Sequence, residues 1–201
     1  KIPIALEELE LPHSLHSVNI REGAQRTPEF TAMNRNAKVP VLVDSHGPMV
    51  LTESAAILVY LAEKTRRLLP AFGELRARVF EQLFFHASAL SPAFGQAGYF
   101  QKLAPEVLPL AIERFRTEAR RVLGVLDAKL AVDEYVAGPT LSIADIAHFG
   151  WLWRREFAGM ELDETPNVAR WFAALEARPA FRRGVARTMA LANPPPIRSQ
   201  P

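Results

Sequence analysis

Residues 34–57 read NRNAKVPVLVDSHGPMVLTESAAI, and this short stretch decides the fold. Apolar and β-branched residues surround Pro40, which indicates a strand over residues 39–44. The Gly-Pro turn after it predicts a hairpin with a second strand at 49–51. A helix is expected directly afterwards, over residues 52–64, because its apolar residues recur at helical spacing. The stretch therefore predicts strand, turn, strand and helix in immediate succession.

The residues before this stretch extend the pattern. Residues 2–11 have the apolar spacing of an amphipathic helix, and residues 13–20 have the pattern of a strand. Residues 27–33 predict a short helix in which Thr27 is the N-cap and Pro28 is the first helical residue. The order is then helix, strand, helix, strand, strand, helix. This is an α/β unit whose first strand is absent from the sequence.

A basic, proline-containing linker at 65–74 separates this unit from a region with no strand pattern. We therefore expect an α/β domain at 1–64, an all-helical bundle at 75–193 and an extended tail at 194–201. The first helix of the bundle is expected from residue 75 to about 90, where Pro92, Gly95 and Gly98 bend or end it. A second is expected over 112–126, and a third begins at a capping box formed by Ser142 and Asp145. Residues 165–187 predict one or two more, interrupted at Pro179.

Composition excludes several classes of function. The 24 basic and 22 acidic residues are interspersed, so a net charge of +2 does not indicate a nucleic-acid partner. The sequence has no cysteine and so forms no disulfide or thiolate metal site, which favours a cytoplasmic location. The longest apolar run, residues 55–62, is far shorter than the roughly 20 residues that span a membrane, so no membrane partner is expected.

The histidine and tryptophan residues do not predict a metal or cofactor site. His13 and His16 would point to opposite faces of the expected strand and could not share a metal. His86 and His148 lie among apolar residues, where a buried, hydrogen-bonded histidine is expected. Trp151 and its neighbour Trp153 are interpreted as packing residues. We expect no metal.

The residues of the opening stretch can also be interpreted as a ligand site. A cis bond before Pro40 would turn the Val39 amide and carbonyl outward, where they could pair with the backbone of a ligand. Glu53 and Ser54 stand where a helix begins, so the helix terminus favours a carboxylate and Glu53 could hold an ammonium. The zwitterionic end of an amino acid matches that pair. The alternative is that Pro40 only begins an edge strand and that residues 52–54 only cap a helix.

Three motifs carry a resemblance that favours the first interpretation. AKVPVLVD, followed by LTESAAILVYLAEK and later by LSIADIAHFGW, closely resembles the glutathione transferase family over nearly the whole chain. The resemblance implies a thioredoxin-like N-terminal domain that binds glutathione and an all-α C-terminal domain that lines the pocket for a small electrophile. It implies that Val39 pairs with the cysteinyl backbone of glutathione and that Pro40 is cis. Glu53 and Ser54 would hold the γ-glutamyl end, and Lys38 would reach the glycyl carboxylate.

A finer resemblance concerns NIREGAQRTPEF, SPAFGQAGYF and AIERFRTEARRVL, which look like the bacterial nu-class proteins, several of which are disulfide-bond reductases. The resemblance implies that Gln25 touches glutathione. Gln96 and Arg114 would contribute from or near the neighbouring subunit of a homodimer. Where relatives carry Pro and Gly in an N-P-N-G-K turn, this chain has Arg35 and Ala37.

The resemblance also places the residue that activates the glutathione thiol in a loop before the helix that here starts at Lys1. The sequence therefore names no catalytic residue. Two functions stay open at this point. One is a glutathione-dependent transferase or disulfide-bond reductase, and the other is a binding or scaffold protein of the same fold without turnover.

Overall fold

A computed structural model describes residues 1–47 and 49–192, which form two compact units. One contains Lys1–Leu61 together with the chain from Pro179 onward, and the other contains Ala62–Arg178. The tail expected at 194–201 lies outside the described residues. The helices and strands are α1 (Ile2–Glu8), α2 (Pro28–Met33), β1 (Val41–Asp44), β2 (Met49–Thr52), α3 (Ser54–Thr65), α4 (Glu74–Phe85), α5 (Ser91–Lys102), α6 (Pro109–Leu130), α7 (Ile143–Leu152), α8 (Pro166–Glu176) and α9 (Pro179–Ala192).

The first unit contains the predicted hairpin. Strands β1 and β2 pair antiparallel, with Val41 opposite Thr52 at one end and Asp44 opposite Met49 at the other. The hydroxyl of Tyr60 on α3 donates to Asp44 at 2.5 Å and ties that helix to the hairpin. The helical spacing of apolar residues in α3 is confirmed, since three apolar side chains are buried on one face: Ile57, Leu58 and Leu61.

Helix α1 packs against α9, which closes the first unit. Ile4 is buried at this contact and faces Gly184, where a Cβ would come within 2.7 Å of the Ile4 backbone. Glu7 on α1 accepts hydrogen bonds from Arg183 and Arg187 of α9, each at 2.7 Å. These hydrogen bonds lower the pKa of the Glu7 carboxyl. The close approach depends on a residue without a side chain at 184.

The strand expected at 13–20 is wrong. These residues form loop and turn, and β1 and β2 pair only with each other among the described residues. A period-two pattern shows which side chains could share a face, but a strand also needs a neighbouring backbone to complete its hydrogen bonds. The helix at 27–33 is confirmed, and its N-cap Thr27 accepts from the Phe30 amide at 3.3 Å.

The second unit is helical, as expected, but its first long helix is not ended near residue 90. Helix α4 continues through a π-turn at His86–Leu90 directly into α5, which runs to Lys102. The wider π-turn precedes Pro92 and accommodates its missing N–H. Gly98 permits a close contact with Phe157, whose ring lies 2.1 Å from where a Cβ would stand.

The predicted capping box at the start of α7 is present and fully buried. Ser142 caps the helix, and the Asp145 carboxylate accepts hydrogen bonds at 2.9 Å from the backbone and hydroxyl of Ser142. Two further donors, the Val136 amide and the Trp171 indole, reach it at the same distance. Burial raises the pKa of Asp145, and these hydrogen bonds oppose that shift. The carboxylate thereby joins three segments of the bundle.

Both bundle histidines are buried, as expected, and their ring centroids lie 5.2 Å apart. Nδ1 of His148 donates to the Ala144 carbonyl at 2.8 Å. Trp151 packs edge-on against Phe94 and donates to a serine hydroxyl at 2.7 Å, which confirms its role in packing. Across residues 1–47 and 49–192, every helix is too short or too polar to cross a membrane.

Candidate functional site

The hairpin register brings the two halves of the predicted site together. Because Val41 and Thr52 are paired, Pro40 and Glu53 are the next residues out at the same end of the ribbon. Neighbouring strands lie about 5 Å apart, so Val39-Pro40 and Glu53-Ser54 flank one small space. A single ligand could contact both.

Val39 offers an open backbone edge at this end. The Val39-Pro40 peptide bond is cis, which confirms the prediction. Val39 is 46 % exposed, and in the part of the chain that the structure describes no hydrogen bond engages its amide or carbonyl. Free main-chain groups of this kind recognise an extended peptide by forming two strand-like hydrogen bonds.

Asn34 holds the turn that presents this edge, a role that the sequence analysis missed. Its side chain is buried, donates to the Lys38 carbonyl at 2.6 Å and accepts from the Asn36 amide at 2.9 Å. Ala37, inside the turn, has a φ of 54°, a left-handed conformation that glycine adopts more readily. The Lys38 side chain is exposed beside it. The Asn in the N-x-N-x-K pattern was the available signal, since short amides bond to nearby backbone in turns.

Glu53 and Ser54 form the other half of the site, at the start of α3. The carbonyl of Glu53 accepts from the Ile57 amide at 3.0 Å, so the first amides of the helix point out of its N-terminus. Glu53 has a φ of 65°, an unusual conformation for a residue with a side chain, and its side chain is exposed. Strained residues of this kind concentrate at ligand sites. An exposed carboxylate beside free amides can hold an ammonium and a carboxylate together.

Gln25 lies on a 3-10 turn, Ala24–Arg26, that follows Gly23 with a φ of 80°. Its side-chain oxygen is buried and has no hydrogen-bond partner among residues 1–47 and 49–192. A buried acceptor without a partner costs about 1 to 3 kcal/mol, so this oxygen would gain from a ligand donor. None of the hydrogen bonds of the described residues links Gln25 to Glu53 or Ser54.

Lys1 is a second residue of the site that the sequence analysis missed. Its ammonium donates to the Ser54 hydroxyl at 3.4 Å, although 53 residues separate them. Burial lowers the pKa of the Lys1 ammonium to about 8, and the charge of Glu53 opposes that shift. Its position just before α1 carried no signal by itself, because a lysine before a helix is usually solvated.

Gln96 and Arg114 lie in the other unit, on α5 and α6, and both side chains are exposed. Arg114 acts electrostatically on Glu118, whose pKa is lowered chiefly by the hydrogen bond from Arg121. The contribution of Gln96 and Arg114 to a ligand site stays a prediction. Within residues 1–47 and 49–192 there is no group of three or more histidine, aspartate or glutamate side chains that could hold a metal.

Comparison with known proteins agrees with this architecture. Residues 1–64 match the N-terminal domain of glutathione S-transferases, and residues 92–179 match the C-terminal domain. A disulfide-bond oxidoreductase of Escherichia coli strain K12, YfcG, is 38 % identical over 187 residues, covering 90 % of this chain and 86 % of the relative.

Solved structures of similar proteins contain glutathione. A glutathione transferase family member from Pseudomonas fluorescens, with two glutathione bound, has a TM-score of 0.86 at 38 % identity, covering 92 % of this chain and 86 % of that one. A glutathione transferase from Pseudomonas putida has one glutathione disulfide bound per subunit. Its TM-score is 0.84 at 33 % identity, over 96 % of this chain and 86 % of that one. Fold, domain matches and close relatives agree, and the chain belongs to the glutathione S-transferase family.

Proposed function

We propose that the protein binds glutathione at the open end of the hairpin and uses its thiol to reduce disulfides. The observation that carries the proposal is that the open Val39 backbone and the N-terminus of α3 lie at the same end of the two-stranded ribbon. An open backbone edge binds the main chain of a small peptide, and a helix N-terminus binds its carboxylate.

Each part of glutathione has a matching group. The Val39 amide and carbonyl would pair with the cysteinyl residue. The γ-glutamyl carboxylate would accept from the Ser54 hydroxyl and from the first amides of α3, while Glu53 would hold the ammonium. Gln25 would accept from a ligand N–H through its buried side-chain oxygen. The exposed Lys38 would reach the glycyl carboxylate.

The chemistry balances with glutathione as the only reductant. A glutathione thiolate attacks one sulfur of the substrate disulfide, which forms a mixed disulfide and releases the other sulfur as a thiolate that takes up a proton. A second glutathione thiolate then attacks the glutathione sulfur of the mixed disulfide. The products are glutathione disulfide and two substrate thiols. Ser54 belongs to the γ-glutamyl end in this arrangement and is not the group that activates the thiol.

We propose disulfide reduction as the reaction, in place of conjugation to an electrophile, for two reasons. The relative YfcG is a disulfide-bond oxidoreductase, and a similar transferase holds glutathione disulfide. The residues proposed around the ligand are also polar, with Gln25, Gln96 and Arg114 offering groups that suit carboxylates and disulfide-linked glutathione. They give little apolar surface to a flat aromatic electrophile.

The decisive experiment compares turnover with two substrates in the presence of glutathione. We expect reduction of hydroxyethyl disulfide to exceed conjugation of chlorodinitrobenzene. Strong conjugation with negligible reduction would favour the transferase alternative. Tight glutathione binding, measured by calorimetry, with turnover of neither substrate would favour a binding or scaffold protein.

We further propose a homodimer, located in the cytoplasm as the cysteine-free sequence predicts. Phe84 on α4 is 69 % exposed, and its ring stacks on that of Phe80 at 6.4 Å. An exposed aromatic ring stacked on a partly buried one is suited to a twofold contact between copies. Sedimentation at micromolar concentration is expected to give a dimer, and Phe84→Ser is expected to shift it toward monomer.

A further inference from the structure

Lys1 and Ser54 form a polar contact that the proposed ligand-binding roles do not use. The Lys1 ammonium donates to the Ser54 hydroxyl oxygen at 3.4 Å, and Lys1 is only partly exposed. Burying a lysine head group is unfavourable unless a partner compensates for lost hydration. Glu53, the adjacent residue, supplies the opposite charge that acts on this ammonium.

The direction of this hydrogen bond determines what Ser54 can do. An ammonium can only donate, whereas a hydroxyl both donates and accepts. When Ser54 accepts from Lys1, its own hydrogen must be directed elsewhere. The hydroxyl hydrogen of Ser54 is then available to a ligand acceptor, and the acceptor that suits the start of α3 is a carboxylate.

We propose that Lys1 is a positioning residue of the glutathione site, which orients the Ser54 hydroxyl as a donor toward the γ-glutamyl carboxylate. This inference rests on the proposed glutathione binding and adds a specific residue to it. Lys1 also offsets the charge of Glu53, so that the site receives a carboxylate without net repulsion. The lowered pKa of Lys1, about 8, leaves it mostly protonated at neutral pH, as this role requires.

A purely structural Lys1 would make a different prediction. In that case its removal would lower stability and leave glutathione affinity and the contribution of Ser54 unchanged. In the proposed role, Lys1 and Ser54 act on the same ligand group, so their effects must be coupled. A double-mutant cycle separates the two interpretations.

The experiment measures glutathione affinity by calorimetry for Lys1→Met, Ser54→Ala, the double variant and Lys1→Arg. Each single change is expected to weaken binding about tenfold, as for a hydrogen bond to a charged group. The double variant is expected to bind about as weakly as the weaker single one. Lys1→Arg keeps a cationic donor and should bind within about threefold of the parent.

The control is Lys129→Met, which removes a lysine paired with Asp133 in the other unit and should leave affinity unchanged. If the parent binds glutathione and Lys1→Met binds it equally well, the role of Lys1 is overturned while the proposed function stands. The same holds if the loss of affinity in the double variant equals the product of the two single losses. A parent protein that does not bind glutathione would overturn the proposed function as well. If Lys1→Met fails to fold, loss of binding in a folded Lys1→Arg variant would overturn the inference.

Discussion

Two glycines in helices offer a matched test of the contact between α1 and α9. A Cβ at Gly184 would lie 2.7 Å from the Cα and N of Ile4 and 2.8 Å from its Cγ1. Real Cβ atoms do not approach backbone so closely, and a backbone atom cannot rotate away as the end of a side chain can. Gly184→Ala must therefore push α9 and α1 apart.

The magnitude follows from two opposing terms. Overpacking of a well-packed contact costs about 1 to 3 kcal/mol. Replacing glycine by alanine inside a helix contributes about 1 kcal/mol in the opposite direction. Because the clash is with backbone, we expect the first term to lie at the upper end of its range, about 2 to 3 kcal/mol. Gly184→Ala should then lower the free energy of unfolding by roughly 1 to 2 kcal/mol.

Gly124 supplies the control. It lies within α6, is exposed, and a Cβ there would meet nothing within 4 Å. Gly124→Ala should therefore raise stability by about 1 kcal/mol through helix propensity alone. The two alanine variants are compared by urea denaturation followed by far-UV circular dichroism, and they should move in opposite directions.

The same displacement should reach the ligand site, because α1 follows directly on Lys1, the residue that contacts Ser54. Glutathione affinity is expected to fall in Gly184→Ala and to stay unchanged in Gly124→Ala. If both variants gained stability equally, the close approach of Gly184 to Ile4 would be refuted. Loss of stability with unchanged affinity would separate the packing of α1 from the site.

Four further results are expected. Ala37→Gly should raise the free energy of unfolding by about 0.5 to 1 kcal/mol in urea denaturation, because glycine relieves the left-handed conformation at a φ of 54°. Two arginines of α9 hold the pKa of Glu7 below its ordinary 4.5, so its ion pairs stabilise the fold above that pH and are lost as pH falls through the lowered value. Glu7→Gln should accordingly cost about 1 kcal/mol at neutral pH and nothing in strong acid, as measured by denaturation across pH. Glu53→Ala should weaken glutathione binding about tenfold and depress disulfide reduction and conjugation together, and equal affinity would exclude Glu53 from the site. Burial lowers the pKa of Lys1 to about 8, and the charge of Glu53 opposes that shift only in part. Glutathione affinity should therefore fall as pH rises through about 8, where Lys1 loses its proton, and Lys1→Arg should remove that component of the pH profile.

Structural features that depend on a few neighbouring residues were predicted correctly from the sequence. Thr27 caps α2, and Ser142 with Asp145 forms the capping box of α7. These predictions succeed because a cap joins a side chain to backbone within three residues, so no distant contact can override it. The hairpin and α3 were predicted for the same reason, although β1 begins at Val41 and not at residue 39.

Patterns that depend on a partner were predicted less well. Residues 13–20 have a period-two pattern, yet they form no strand because no neighbouring strand pairs with them among the described residues. Pro92 and the glycines after it suggested a bent or ended helix. A π-turn before Pro92 allows α5 to continue, which no propensity argument anticipates.

By itself, the sequence determined the hairpin and the helix that follows it, the caps and the residues that resemble a glutathione site. Only the tertiary structure decided which distant residues support them. It joins Lys1 to Ser54 across 53 residues and Glu7 to Arg183 across 176. Both contacts join residues that are far apart in the sequence, so no helical or strand periodicity predicts them. The reason is physical: local preferences are encoded within a few residues, whereas the orientation of a hydroxyl or the seating of α1 on α9 depends on atoms that meet only after the chain has packed.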